Sequence, residues 1–219
     1  MVTGPPDNPE SNDNRNYIYD DDFHIRKEYP IVRDWIKEDS KIIDLGCGNG
    51  SLIRFILKKK NVYAQGIDIS QSGIEICLKN NIQAKVGCID KEETYKKYKK
   101  DEFDYTICNV TIQMVMCPEI LLKEMKRISR FQIILFPNFA FILNRFDMLF
   151  LGRMPRFMLF GYNWYNTGHI HQLSIKDFKE LCRKIDIRII KEYHIGKAGP
   201  LIKVCPNLLS QVSIFLSTK

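Results

Sequence analysis

The sequence predicts an α/β sandwich, a largely parallel seven-stranded sheet with helices on both faces, and three observations carry that expectation. Short β-rich runs alternate with longer amphipathic ones, a glycine-rich segment joins the first such pair, and the strand candidates reach seven. Residues 26–38 open the series as a helix that puts Ile31 and Trp35 on one face. The first strand is Lys41–Leu45, followed after the glycines by a helix at 51–59. A strand at 62–68 leads to a helix at 71–80, for which Ser70 is the N-cap. Strands at 83–87 and 103–108 come next. Pro118 then suits the first turn of a helix running to Ile128, because the N–H it lacks would be unpaired there anyway. The fifth strand is 131–136.

Beyond it the pattern changes. Residues 139–151 read as a helix, and 152–170 form a long aromatic connection without periodicity, the kind of loop that carries function. Ser174, with Asp177 three residues on, begins a helix with a capping box that ends near Ile185. Strands at 187–193 and 211–217 complete the seven.

At 219 residues, 45% hydrophobic and 27% charged, the chain suits one globular domain, 23–219, with a cap or lid at about 139–171. Residues 1–22 are rich in Pro, Asn, Asp, Gly and Ser and read as a flexible arm. They lack the basic start and apolar core of a secretory signal, so the expected location is the cytoplasm. The seven cysteines are odd in number, widely spaced and set in apolar runs, which predicts reduced core thiols and no metal site. The apolar stretch 131–151 is broken by Pro137, Asn138, Asn144, Arg145 and Asp147, too soon for a transmembrane helix. A net charge of +7 favours anions, but the lysines cluster at 58–60 and 96–100, where solvated helix faces are expected.

The run Ile42-Ile43-Asp44-Leu45-Gly46-Cys47-Gly48-Asn49-Gly50-Ser51 passes from strand to helix, and its glycines let backbone approach a ligand. A nicotinamide site would place Gly at Ser51; here the glycines fall on alternate residues and a carboxylate precedes them. That pattern favours S-adenosylmethionine, whose ammonium and sulfonium are cations and which has no pyrophosphate. Asp44 would orient its methionine end. Asp68, eighteen residues after Gly50, is spaced to bind both ribose hydroxyls, and Ile69 would lie against the adenine.

The chain resembles the class I S-adenosylmethionine-dependent methyltransferases, a Rossmann-like fold, and within them the MetW family of methionine biosynthesis. The Asp44-to-Gly50 turn carries the broad likeness. The narrower one rests on Phe103-Asp104-Tyr105, Thr111-Ile112-Gln113, Phe136-Pro137-Asn138-Phe139, Gly152-Arg153-Met154-Pro155, Trp164-Tyr165-Asn166-Thr167 with Ile170-His171, and Pro206-Asn207-Leu208-Leu209. The resemblance implies strand order 3-2-1-4-5-7-6 with a reversed last strand, the cofactor across the ends of the first strands, and, in some bacteria, a homoserine O-acyltransferase partner. Many relatives have Gly-Asp after the third strand; this chain reads Gly87-Cys88-Ile89-Asp90, with Asp90 or a backbone group left to meet the adenine amine. The candidate cofactor residues are thus Asp44, Gly46, Cys47, Gly48, Gly50, Asp68, Ile69, Cys88, Ile89, Asp90 and Asn109.

Methyl transfer from a sulfonium is an in-line displacement that holding and drying the reactants can accelerate without a base. The expected acceptor is a small molecule over Asn109 to Gln113 and Pro137-Asn138. His171 is the candidate base, with a structural histidine as the alternative, and Asn138 is a second candidate catalytic residue. Enzymes that methylate nucleic-acid or protein amino groups carry Asn/Asp-Pro-Pro-aromatic after the fourth strand; here that position reads Asn109-Val110-Thr111-Ile112, which argues against a nucleic-acid substrate. Two classes stay open: an enzyme, and a cofactor-binding regulatory subunit of an acyltransferase. Segment 139–165 holds more apolar residues than one helix face can bury, with Arg145, Arg153 and Arg156 among them. An interface with a second copy or the acyltransferase is the reading preferred. A cap over the pocket and a shallow membrane contact are the alternatives.

Overall fold

The computed structural model describes residues 25–159, 162–165 and 167–219; the arm expected at 1–22 lies outside them. β1 (Lys41–Leu45) is buried over its last four residues, the continuous pattern of a parallel strand covered on both faces. It pairs in parallel with β2 (Tyr63–Asp68) and β4 (Phe103–Asn109). β3 (Gln83–Val86) adds to β2, and β5 (Ser129–Pro137) to β4. β7 (Val212–Thr218) lies antiparallel between β5 and the edge strand β6 (Arg188–Ile195), giving β3-β2-β1-β4-β5-β7-β6. The expected order and reversed strand are both present.

Alternation along the strands divides the core in two. Ile43, Ile134, Phe136 and Phe215 face α4 (Pro118–Ile128) and α6 (Ile175–Lys184), while Ile42, Ile133, Leu135 and Ile214 face α1 (Tyr29–Trp35) and α2 (Ser51–Leu57). α3 (Gln71–Lys79) closes a smaller cluster with Cys47, Ile53 and Ile82. The local signals read in the sequence act as expected. The Ser70 hydroxyl accepts the Gly73 N–H at 3.1 Å, Pro118 opens α4, and Ser174 and Asp177 form a reciprocal capping box.

Several boundaries differ. α1 begins at Tyr29, with Pro30 in its first turn, and ends at Trp35; it buries Tyr29 and Val32, while Ile31 and Trp35 only flank the core. α5 (Ile142–Leu151) starts three residues later than periodicity suggests, because the Asn138 side chain accepts the Ala140 N–H and holds 138–141 in a turn. Short helices α7 (Leu201–Val204) and α8 (Pro206–Leu209), and 3₁₀ turns at Glu92–Tyr95 and Ile112–Met114, carry too few residues for a periodic signal.

Candidate cofactor and acceptor site

The glycine turn follows β1 directly, and its backbone is left-handed at Gly46, Gly48 and Gly50. Two of these glycines are also sterically required. A Cβ on Gly46 would lie 2.5 Å from the Thr111 side chain, and one on Gly50 would lie 2.9 Å from Cys77 Sγ. The turn is therefore wedged between the loop after β4 and helix α3. Gly46 and Cys47 donate their N–H groups to the Ile67 carbonyl, which ties the turn to the end of β2.

Asp68 stands at that end. Its carboxylate accepts the Gly48 N–H at 2.7 Å and the Ser70 N–H at 2.8 Å, one on each oxygen. The carboxylate thus braces the turn from the end of β2. Asp44 is placed differently. It is 1% exposed, and its Oδ1 is buried with no hydrogen-bond partner among the described residues. Burial, and then the neighbouring Asp68, push its carboxyl up to about 7. A buried carboxylate oxygen without a donor needs an explanation, and a cationic N–H ligand supplies one.

The other predicted residues separate into two groups. Asn109 ends β4, and its Oδ1 is likewise buried without a partner among the described residues. Ile69 follows Asp68, half-buried at the rim. Cys47 is buried beneath the turn, its thiol held well above the ordinary range by a hydrogen bond with Cys77 and by burial. Ile89, by contrast, packs in the core, and its carbonyl accepts the Tyr95 hydroxyl.

Asp90 is built into the scaffold. Its Oδ1 accepts the Cys88 thiol at 2.8 Å, and its Oδ2 accepts the N–H groups of Met116 and Cys117 at 2.7 and 3.1 Å. Burial works against its charge, but these bonds outweigh it and hold the carboxyl below its usual range. Cys88 is pushed up to about 11 by burial and by Asp90, so it is a protonated donor. All seven cysteines are free thiols.

Asn138, the second candidate catalytic residue, is held in the scaffold. It is wholly buried, and it donates to the carbonyls of Asn207 and Ser210 at 3.1 and 3.0 Å, pinning α8 to the end of β5. His171 does reach the cofactor end of the sheet. Its N–H rests on the Gln113 carbonyl at 3.0 Å, and its Nε2 lies 3.4 Å from the Met116 carbonyl.

Three positions in the segment expected beside the acceptor, Val110, Thr111 and Gln113, have structural roles that the sequence did not assign. Thr111 fills the space that Gly46 leaves open. Val110 has φ of 55°, a left-handed conformation costly for a β-branched residue. Gln113 is fully buried; its Nε2 donates to the Val110 carbonyl at 2.9 Å, and its Oε1 has no partner among the described residues. The cleft of about 880 Å³ between α6 and β6 is lined by Lys179, Arg183 and Lys191 and lies at the edge strand β6, with β5 and β7 between it and the strand that these groups follow.

This sheet, with the glycine turn at the end of its central strand, defines a class of proteins. The fold is that of the S-adenosylmethionine-dependent methyltransferases. One solved example, from Mesorhizobium loti, superposes with a TM-score of 0.61 at 14% identity over 88% of this chain and 97% of that one. Another, from Methanosarcina mazei, gives 0.62 at 16% identity over 87% and 97%. Residues 26–217 match the family model described as methionine biosynthesis protein MetW, and the chain belongs to that family. The bifunctional methionine biosynthesis protein MetXA/MetW of Rhodopirellula baltica is 29% identical over 180 residues, or 78% of this chain. The chain spans only 29% of that protein's length.

Proposed function

We propose that the chain binds S-adenosylmethionine and transfers its methyl group to a small-molecule acceptor. The observation that supports this most is Asp44 at the glycine turn, buried with an oxygen that has no partner among the described residues, beside Asp68, which is hydrogen-bonded to Gly48. When bound, the cofactor supplies an electrophilic methyl group on a sulfonium. Asp44 would take the ammonium of its amino-acid end and Asp68 the ribose hydroxyls, with Gly46 and Gly48 allowing close approach. Ile69 would cover the adenine, and Asp90 would hold the loop of Cys88 against its edge. On the acceptor side, Asn109 offers an unpaired buried carbonyl oxygen and His171 is the group assigned to receive a proton. A lid formed by the segment that ends at His171, whose N–H rests on the Gln113 carbonyl, would exclude water from the displacement.

Calorimetry with S-adenosylmethionine and with its demethylated product tests this reading. Asp68→Ala is expected to weaken binding by about 1.5 to 3 kcal/mol, the scale of hydrogen bonds to a charged group. Because Asp68 also braces Gly48 and Ser70, melting curves are recorded alongside. Equal affinity in a variant that still folds overturns the assignment.

A second reading is favoured by the Rhodopirellula relative, whose name joins MetXA to MetW in one bifunctional chain. In it, this chain is a cofactor-binding subunit that partners or activates a homoserine O-acyltransferase, or pairs with a second copy. Cofactor affinity without methyl turnover, together with co-elution and activation of the acyltransferase, selects this reading over the first.

A further inference from the structure

Helix α5 is inside out. Ile142, Leu143, Phe146, Leu149 and Phe150 fall on one face by helical spacing, and every one is between 40% and 75% exposed. An apolar stripe of this width ordinarily packs on the core. The residues that α5 buries are instead Asn144 and Asp147. Asn144 donates to the Phe139 carbonyl and accepts the Phe157 N–H, both at 3.2 Å, and Asp147 receives Arg153 Nε and Nη2 at 3.0 and 2.7 Å. These bonds lock the polar face inward and hold the apolar face out.

The charge around this face has one sign. Between Asn138 and Lys176 the sole acidic residue is Asp147, which Arg153 pairs and Arg156 also approaches, so Arg145, Arg153 and Arg156 share a single carboxylate and the segment stays net positive. From Tyr193 to Lys219 there is no acidic residue at all, and Lys197 and Lys203 flank the exposed Leu201 of α7. The two stretches meet at Asn207, whose carbonyl accepts Arg145 Nη2 at 3.4 Å and whose side chain accepts the Lys176 N–H at 3.4 Å.

We propose that the outward face of α5, with its arginine flank and the acid-free tail beside it, seats the protein on an anionic lipid surface. The occupant must be apolar where Leu149 and Phe150 project and negative around them, as at the headgroup boundary of an acidic bilayer. A two-fold pairing of copies through this face would set arginine against arginine. The stripe is also a convex helix with no groove of its own, a shape that a fluid layer accommodates. Seated this way, α5 brings the lid that follows it to the same surface.

The test is co-sedimentation of the full chain with vesicles of phosphatidylcholine, with and without added phosphatidylglycerol. The parent should bind the phosphatidylglycerol vesicles and release as salt rises. Leu149→Ser with Phe150→Ser should weaken that binding about tenfold or more, and Lys203→Glu, on the exposed acid-free tail, should weaken it while reducing its salt dependence. Both variants should keep the parent's melting curve and cofactor affinity, which separates failure here from failure of the methyltransferase reading. The proposal is overturned if the parent ignores phosphatidylglycerol or if the serine pair binds it as well as the parent does. It is equally overturned if the serine pair dissolves an oligomer, or loses an acyltransferase, while vesicle binding is unchanged.

Discussion

The glycine turn and helix α5 break the usual rules of burial in opposite directions. Around the turn, Asp44, Asn109 and Gln113 hide carbonyl or carboxylate oxygens with no donor among the described residues. On α5, Leu149 and Phe150 stand 75% and 67% exposed while Asn144 and Asp147 are buried. A buried acceptor without a donor marks a place for something polar; an uncovered apolar face marks a place for something apolar. The first kind of gap is small and enclosed, suited to a cofactor, and the second is open and convex, suited to a surface.

The sharpest way to break the comparison is to make one change in both regions. Leu45, fully buried at the end of β1, should cost about 2 to 5 kcal/mol as Leu45→Ala, read as a lower denaturant midpoint. If Leu45 and Leu149 cost the same, the contrast in burial is wrong.

Next is Asp90→Ala, which strips acceptors from the Cys88 thiol and from two N–H groups at the start of α4. A loss of about 1 to 3 kcal/mol in stability is expected by denaturant titration. Cofactor affinity measured on the same variant shows whether Asp90 also meets the adenine. If Asp90→Ala binds as the parent does and Cys88→Ala does not, the adenine contact belongs to Cys88.

Asp44→Asn probes the buried oxygen itself. The folded chain holds this carboxyl at about 7, against 3.8 for the ordinary group, so the folded state loses stability as pH rises between those values and bears the full burden above 7. The asparagine variant should therefore gain on the parent by about 1 to 3 kcal/mol above pH 7, while binding cofactor more weakly. Melting curves at pH 5 and pH 8 check the sign; a gain equal at both would place the burden elsewhere.

The smallest effect is expected for Leu149→Ser, within about 0.5 kcal/mol of the parent by the same titration, as for surface changes away from special features. A large loss there would mean that the α5 face is covered within the chain itself.

The strands, helix caps and glycine turn were legible because each is a local signal: alternation, a Ser before a helix, glycines at alternate residues. Asp44 and Asp68 could be named for the same reason, since distance along the chain from the turn places them. The structural bonds of Asn138 could not be read from the sequence, because its partners, Asn207 and Ser210, lie some seventy residues away. Asp90 was named from the Gly-Asp that many relatives carry after the third strand, but the N–H groups it caps belong to residues twenty-six and twenty-seven further on.

By itself, then, the sequence determined the α/β class, the glycine turn with a carboxylate before it and another at the end of β2, and the surplus of apolar residues between 139 and 165. Periodicity and spacing act over a few residues and survive in a string of letters. The tertiary structure alone decided that Asp44 is buried without a donor, that Val110 is turned left-handed, and that α5 points its apolar stripe outward. Periodicity tells that a helix has one apolar face; only the bonds of Asn144 and Asp147 to residues of the following loop tell which way that face is turned.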